Sequence, residues 1–327
     1  MTNRELSKSL VGAVVAVAVL LALSRFTGVT LSDLYELPAQ VLWISLALVV
    51  LRMAAQGLRF YLIVGSVGRV RLGVREALMM RGASEFFALT TVPFVADEAA
   101  RAVMLARKGE RPITAFWIST AELVVDVVVS APLAVMSALY AASVGSWAIA
   151  SAVLSVALTQ LAGTAVLFAY AGRGLDGGGL MRRLSVLLPP RVRGEISDGI
   201  REMKRVLRGI VDSKGLSRAT AMATASIAVA VLPSVVLSVL LEDLSPNGLV
   251  TGLYATMAGN TLGVLPISVG GAGVTEAGVY LYLLGVYGIG DWGLVLGWRL
   301  LTYYVKLCLT TALLGLYLLT LRRSGRT

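Results

Sequence analysis

The sequence predicts an all-α, polytopic membrane protein: six transmembrane helices plus two oppositely oriented re-entrant helical hairpins, arranged as an inverted repeat. Three observations predict it. Apolar residues make up 57% of the 327 residues and charged residues only 15%, against roughly 45–50% and 25% in soluble domains. Six apolar stretches approach or exceed the length of a bilayer crossing, which takes about 20 residues. Two further apolar regions are interrupted midway. The composition also excludes some chemistries. With no histidine and a single cysteine, Cys308, the chain has no His-based nucleophile triad, His-ligated zinc or haem, or intrachain disulfide. No cofactor and no metal is expected.

Taken in order, the first span is Ser9–Ser24, read as a retained helix rather than a signal peptide because the later charge pattern needs it. The second is Pro38–Val64. Val74–Arg107 follows, broken at Pro93, and reads as hairpin one. The third span, Pro112–Ala142, is long enough to tilt, and the fourth is Ser146–Ala171. Gly172–Gly215 is the one soluble stretch: Gly174 to Gly179 read as a flexible turn, and a helical pattern follows. There Ile196, Ile200, Met203, Leu207 and Ile210 alternate with Arg201, Lys204, Arg205 and Arg208. This is a basic amphipathic helix, lying on an anionic leaflet or solvated as a linker. The fifth span is Leu216–Leu241. Gly248–Val286, broken around Pro266 and Gly270-Gly271-Ala272-Gly273, reads as hairpin two, and Trp292–Leu321 is the sixth span.

Basic residues orient these elements, because Lys and Arg stay cytoplasmic. Arg4 and Lys8, then Arg69, Arg71, Arg75 and Arg81, then Arg107, Lys108 and Arg111, eleven between Arg173 and Arg218, and Arg322, Arg323 and Arg326 make 23 of the 29. All fall on one side when both termini are cytoplasmic and each hairpin enters and leaves on the same side. The +10 net charge is thus a topology signal, and no nucleic-acid partner is implied. The expected location is the plasma membrane.

The order span, span, hairpin, span occurs twice within one integral membrane domain, residues 1–327. Its units are 1–145 (hairpin 74–107) and 146–327 (basic loop 172–215, hairpin 248–286). Three spans per unit invert the second unit relative to the first, the logic of inverted-repeat transporters. Glu98 follows Pro93, with Glu122 24 residues further on; Glu276 follows Pro266, with Arg299 23 residues further on. Asp126 and Tyr303 each lie four beyond.

Charged side chains at membrane depth are costly and face a cavity or a partner. Arg52 sits mid-span, with Gln56 and Arg59 on the same face; Arg59 is placed to snorkel to the interface, and Arg52 is not. Glu98 and Arg101 form either a local ion pair or a polar hairpin tip with a helix N-terminus suited to phosphate. Glu122 and Asp126 share a face, to pair with Arg52 or Arg101 or to carry a proton. Ser84 and Glu85 lie on the incoming arm of hairpin one. Arg299, Tyr303 and Lys306 form a basic face, suited to an anionic head group or to pairing with Glu276. Gly270, Gly271 and Gly273 let a head group approach backbone at the hairpin tip. Gly259 and Gly263 make a small-xxx-small packing pair.

Two segments resemble a known family. Pro93-Phe94-Val95-Ala96-Asp97-Glu98-Ala99-Ala100-Arg101 resembles the Pro-x-x-x-Gly-Glu-x-x-Arg segment of the lysylphosphatidylglycerol synthase transmembrane, flippase-like family. Pro266 through Glu276 resembles its Pro-x-Ser-x-Gly-Gly-x-Gly-x-x-Glu segment, Arg299 with Tyr303 its Arg-x-x-x-Tyr, and Glu122 with Asp126 its Glu-Arg-x-x-Asp. The likeness spans about Ser9 to Leu321. Asp97 replaces a family Gly, Leu123 replaces an Arg, and the incoming arm of hairpin one lacks the usual Asn. The resemblance implies the stand-alone membrane unit of the bacterial multiple peptide resistance factors, without their soluble aminoacyl-transferase domain.

The function expected is a lipid translocase, not an enzyme. It would move the head group of an anionic or aminoacylated phospholipid, or of a polyprenyl-phosphate or glycolipid, through a central charged cavity. Arg52, Arg101, Arg299, Tyr303, Lys306, Gly270, Gly271 and Gly273 are expected at the head group. Glu98, Glu122, Asp126 and Glu276 are expected to balance charge or carry a coupling proton. Partners are membrane lipids, with a lipid synthase or a second copy of the chain besides. The alternatives are an intramembrane lipid-modifying enzyme and a membrane partner subunit of a lipid synthase.

Overall fold

Leu, Ala and Met lose little side-chain freedom in a helix, and the long apolar runs among the described residues are helical. The computed structural model describes residues 14–15, 17–19, 21–28, 38–91, 96–172, 190–211, 216–265 and 267–324. No strand occurs among them. The helices are α1 (Ala39–Val67), α2 (Val74–Thr90), α3 (Ala96–Arg107), α4 (Pro112–Ser143), α5 (Trp147–Gly172), α6 (Pro190–Val211), α7 (Leu216–Leu240), α8 (Pro246–Gly263) and α9 (Val274–Tyr282). They continue with α10 (Trp292–Arg299) and α11 (Lys306–Ser324), joined without a break through a π-helical turn at Leu300–Val305.

Six helices are long and apolar enough to cross a membrane: Ala39–Val67, Pro112–Ser143, Trp147–Ala169, Ser217–Leu240, Val269–Tyr287 and Trp292–Leu321. Five match expected spans. The sixth, Val269–Tyr287, was expected as the return arm of hairpin two. The expected first span lies partly outside the described residues, which show there a short apolar helix, Val17–Thr27. Pro93 and Pro266 also lie outside them. Outward-facing Trp43, Leu139, Val166, Ile227 and Leu319 are all more than half exposed, the apolar exterior that a lipid solvent favours.

α2 packs on α3, and α8 on α9. The second pair is held by glycine: Gly259 sits against Val279, Gly263 against Thr275, and Gly278 against Gly259. These pairings run in opposite senses along the two helices, so α8 and α9 are antiparallel. Small residues let the backbones approach closely.

The basic helix α6 differs from the reading that laid it on lipid. Met203, Val206 and Leu207 are buried, and its apolar face packs on α1, α4 and α5. Thr114 Oγ1 donates to Glu202 at 2.6 Å. Arg201, 78% exposed at its side chain, faces outward. Protein, not membrane, takes up the apolar stripe.

Two apolar cores form. One gathers Phe60, Met80, Phe86, Leu105, Ile118 and Leu307; the other gathers Ala134, Val153, Leu237, Tyr282, Val295 and Trp298. Between them, at mid-length of α1, α4 and the α10–α11 rod, lies a layer of charge.

A Cβ at Gly263 would overlap Thr275 Oγ1, whereas at Gly163 it meets nothing within 4 Å. Gly263→Val should therefore cost about 1–3 kcal/mol through overpacking, read as a lowered unfolding temperature of the detergent-solubilised chain. Gly163→Ala should leave that temperature unchanged or raise it.

Candidate functional site

Twelve charged side chains meet in this layer among the described residues. Six are cations (Arg52, Arg59, Arg81, Arg101, Arg299, Lys306) and six are carboxylates (Glu85, Asp97, Glu98, Glu122, Asp126, Glu276). Nine of them (all but Arg59, Glu122 and Glu276) line a cavity of about 280 Å³ walled by the α2–α3 and α8–α9 pairs, α1, α4, α5, α7 and the α10–α11 rod. Gln56, Gln160 and Asn260 add neutral polar groups to the wall.

Glu122 organises the first half. Its Oε1 accepts from Arg59 Nη2 of α1 and from Arg81 Nε of α2, both at 2.9 Å. Its Oε2 lies 3.4 Å from Arg101 Nε of α3. Arg59 also binds both oxygens of Asp126, and Arg81 binds Glu85. Glu85 in turn accepts from Lys306 Nζ at 2.6 Å. Arg101 further binds Asp97 at 2.8 Å and Glu98 at 3.2 Å. Each member is buried except Asp126, whose side chain is 35% exposed to the cavity.

These contacts correct two expectations and select among the partners expected for Glu122. Arg59 does not snorkel: it is fully buried, held by two carboxylates that compensate its charge. Arg81 is not a cytoplasmic-loop cation but part of the core, because Glu85 one turn on and Glu122 across from it neutralise it. Glu122 takes Arg101 but not Arg52. Asp97, the departure from the family pattern, supplies the nearest carboxylate to Arg101.

The second half is built around Arg299. Its Nε donates to Glu276 Oε1 at 2.8 Å and its Nη2 to the Gly270 carbonyl at 2.9 Å. Its guanidinium carbon lies 4.1 Å from the Tyr303 ring centroid, a cation–π contact. Glu276 Oε2 accepts from Gly273 N–H at 2.8 Å, closing the start of α9. Gly270, Gly271 and Gly273 have φ of 56°, 73° and 85°, a left-handed backbone that glycine adopts without penalty. Gly270 lines the cavity, while Gly271 packs on Gly263 and Thr275, and Gly273 also stands outside the cavity wall. The segment after α2 meets the glycine segment before α9: Gly270 N–H donates to the Thr91 carbonyl at 3.0 Å, and Tyr303 Oη donates to that of Leu89.

Arg52 is positioned differently. Pro233 inside α7 has no N–H, so the carbonyl of Val229, four residues earlier, lacks its helical donor. Arg52 Nε supplies one at 3.1 Å. No carboxylate lies within ion-pair distance of Arg52 among the described residues, and its two terminal nitrogens have no protein partner there. It is the cavity cation without a direct ion pair.

The fold and site define a multi-pass α-helical membrane protein with a polar chamber buried at mid-depth. The family model described as the lysylphosphatidylglycerol synthase TM region matches residues 9–310, and the chain belongs to that family. No curated protein matches the chain. Family membership assigns it to membrane-lipid biology.

Removing one partner from a buried ion cluster leaves charge uncompensated. Glu122→Gln should lower stability by about 3–5 kcal/mol in thermal unfolding. The exposed Lys108–Glu76 pair is the contrast: Lys108→Ala should cost under about 1 kcal/mol.

Proposed function

We propose that this chain is a lipid translocase, a transporter rather than an enzyme. It carries an anionic head group across the bilayer through the charged cavity while the acyl chains stay in lipid. The observation that carries the reading is Arg52. A guanidinium with two free terminal nitrogens, facing a polar chamber and lacking a carboxylate, suits a phosphate, which it can grip through two parallel hydrogen bonds. Membership of a lipid-related family supports the same reading.

In this reading the two helix pairs, α2–α3 and α8–α9, are re-entrant hairpins entering from opposite faces. They belong to the inverted units 1–145 and 146–327, with both termini cytoplasmic in the plasma membrane. Their touching ends close the path at the centre. Arg101, Arg299 and Lys306, already paired, set the field and stand second to Arg52. The substrate is an anionic or aminoacylated phospholipid, or a polyprenyl-phosphate or glycolipid. A lipid synthase is its expected source, as a separate partner.

The test is translocation of labelled phosphatidylglycerol and its aminoacylated form in reconstituted vesicles. Wild type should exceed empty vesicles. Arg52→Ala should reduce the excess rate about tenfold or more, the loss expected of a charged hydrogen bond, and should lower the unfolding temperature only modestly, through the donor lost by the Val229 carbonyl. Wild type no faster than empty vesicles, or Arg52→Ala as fast as wild type, overturns the reading.

A further inference from the structure

Counted with every group ionised, the twelve-residue layer is neutral only while the cavity holds no anion. Arg299 and Glu276 compensate each other within hairpin two and its neighbouring helix. With Arg52 set aside, the rest comprises four cations, Arg59, Arg81, Arg101 and Lys306, and five carboxylates, Glu85, Asp97, Glu98, Glu122 and Asp126. Arg52 supplies the fifth positive charge across the cavity. A phosphate bound to Arg52 takes that charge for itself and leaves one negative charge in excess. Excess charge in a low-dielectric site is expensive, and a carboxylate there takes a proton instead.

The contacts indicate which one. Glu85 is held by Arg81 and Lys306, Glu122 by three guanidinium groups, and Asp126 by two nitrogens of Arg59. Asp97 has Arg101 Nη1 at 2.8 Å. Glu98 has only the longer contact, 3.2 Å, to the same guanidinium. Its Oε2 is buried with no hydrogen-bond partner, and the residue lines the cavity. Charged groups are brought to this end of the cavity by Asp97 and Arg101 on α3, Glu122 and Asp126 on α4, and Arg81 and Glu85 on α2. Glu122 Oε2 also lacks a hydrogen bond but has Arg101 Nε at 3.4 Å; Glu98, whose one cation contact is through its other oxygen, is the carboxylate least compensated and has a buried oxygen available for a proton.

We propose that Glu98 takes up a proton from water when a lipid phosphate binds at Arg52, so that anionic head group and proton occupy the cavity together. This rests on the translocase reading and adds its coupling ion. Coupling of this kind is reciprocal: the bound phosphate favours the protonated carboxyl, and protonation favours the phosphate. Affinity for the anion is therefore high at low pH and falls as pH rises, by up to about tenfold per unit for one linked proton.

The experiment is calorimetric titration of the full chain in detergent with short-chain phosphatidylglycerol between about pH 5 and pH 9. Its phosphodiester lacks the second ionisation near about pH 6 that a phosphomonoester has, so any pH dependence belongs to the protein. Wild type should bind more weakly as pH rises and, judged from the buffer dependence of the heat, take up about one proton per lipid. Glu98→Gln, permanently neutral, should bind at the low-pH affinity of wild type throughout, with no proton uptake. Wild-type binding with constant affinity and no uptake overturns the coupling and leaves the translocase reading standing. Absence of binding at every pH overturns that reading itself. Glu98→Gln with an unaltered pH dependence overturns the assignment to Glu98. Proton uptake by wild type decides the coupling even if that variant does not fold.

Discussion

One carboxylate ties together four helices. Glu122 on α4 faces Arg59 of α1, Arg81 of α2 and Arg101 of α3, and none of the four side chains reaches solvent to any extent. In a low-dielectric interior the desolvation penalty of an isolated charge is severe, and it is offset only by close, well-oriented opposite charge. That constraint explains why the polar layer is a connected network rather than a set of separate pairs. Arg59 reaches Asp126, Arg81 reaches Glu85, and Glu85 reaches Lys306 on the last helix. The network thereby links both ends of the sequence at one depth.

The two halves solve different problems around one chamber. The first packs its charges tightly against one another along one side of the chamber. The second uses Arg299, Glu276 and three left-handed glycines to hold a bare backbone turn against the carbonyls of Leu89 and Thr91. Arg52 stands outside both arrangements, fixed through a carbonyl that Pro233 leaves without a donor. A helix defect thus supplies the anchor for the cavity cation without a direct ion pair.

Much of this was legible in the sequence. Long apolar runs reveal membrane helices, because lipid demands internal hydrogen bonding and apolar exteriors. The acidic and basic residues of Glu98, Arg101, Glu122, Asp126, Glu276, Arg299 and Lys306 stand out because charge is rare at that depth. Arg81 was not legible as a core residue. α2 carries four charges in its first twelve residues, so hydropathy reads it as peripheral, and Glu122, the partner that completes Arg81 beside Glu85, comes from the distant α4. The fate of Arg59 was hidden for the same reason: snorkelling and burial have identical sequence signatures, and the deciding carboxylates lie more than sixty residues away. The docking of α6 likewise depends on an apolar surface formed by three other helices. The i, i+4 spacing of Arg81 and Glu85 was the one local signal that pointed to a buried pair.

The central claim is that Arg52 is the cavity's phosphate contact. Cryo-electron microscopy of the full chain in nanodiscs containing phosphatidylglycerol tests it most directly. The account predicts head-group density in the chamber, with a phosphate oxygen within hydrogen-bond distance of the terminal nitrogens of Arg52 and the Glu122 network intact. A chamber that holds only water or acyl chain, or a phosphate bound at Arg101 or Arg299 with Arg52 turned away, would contradict it.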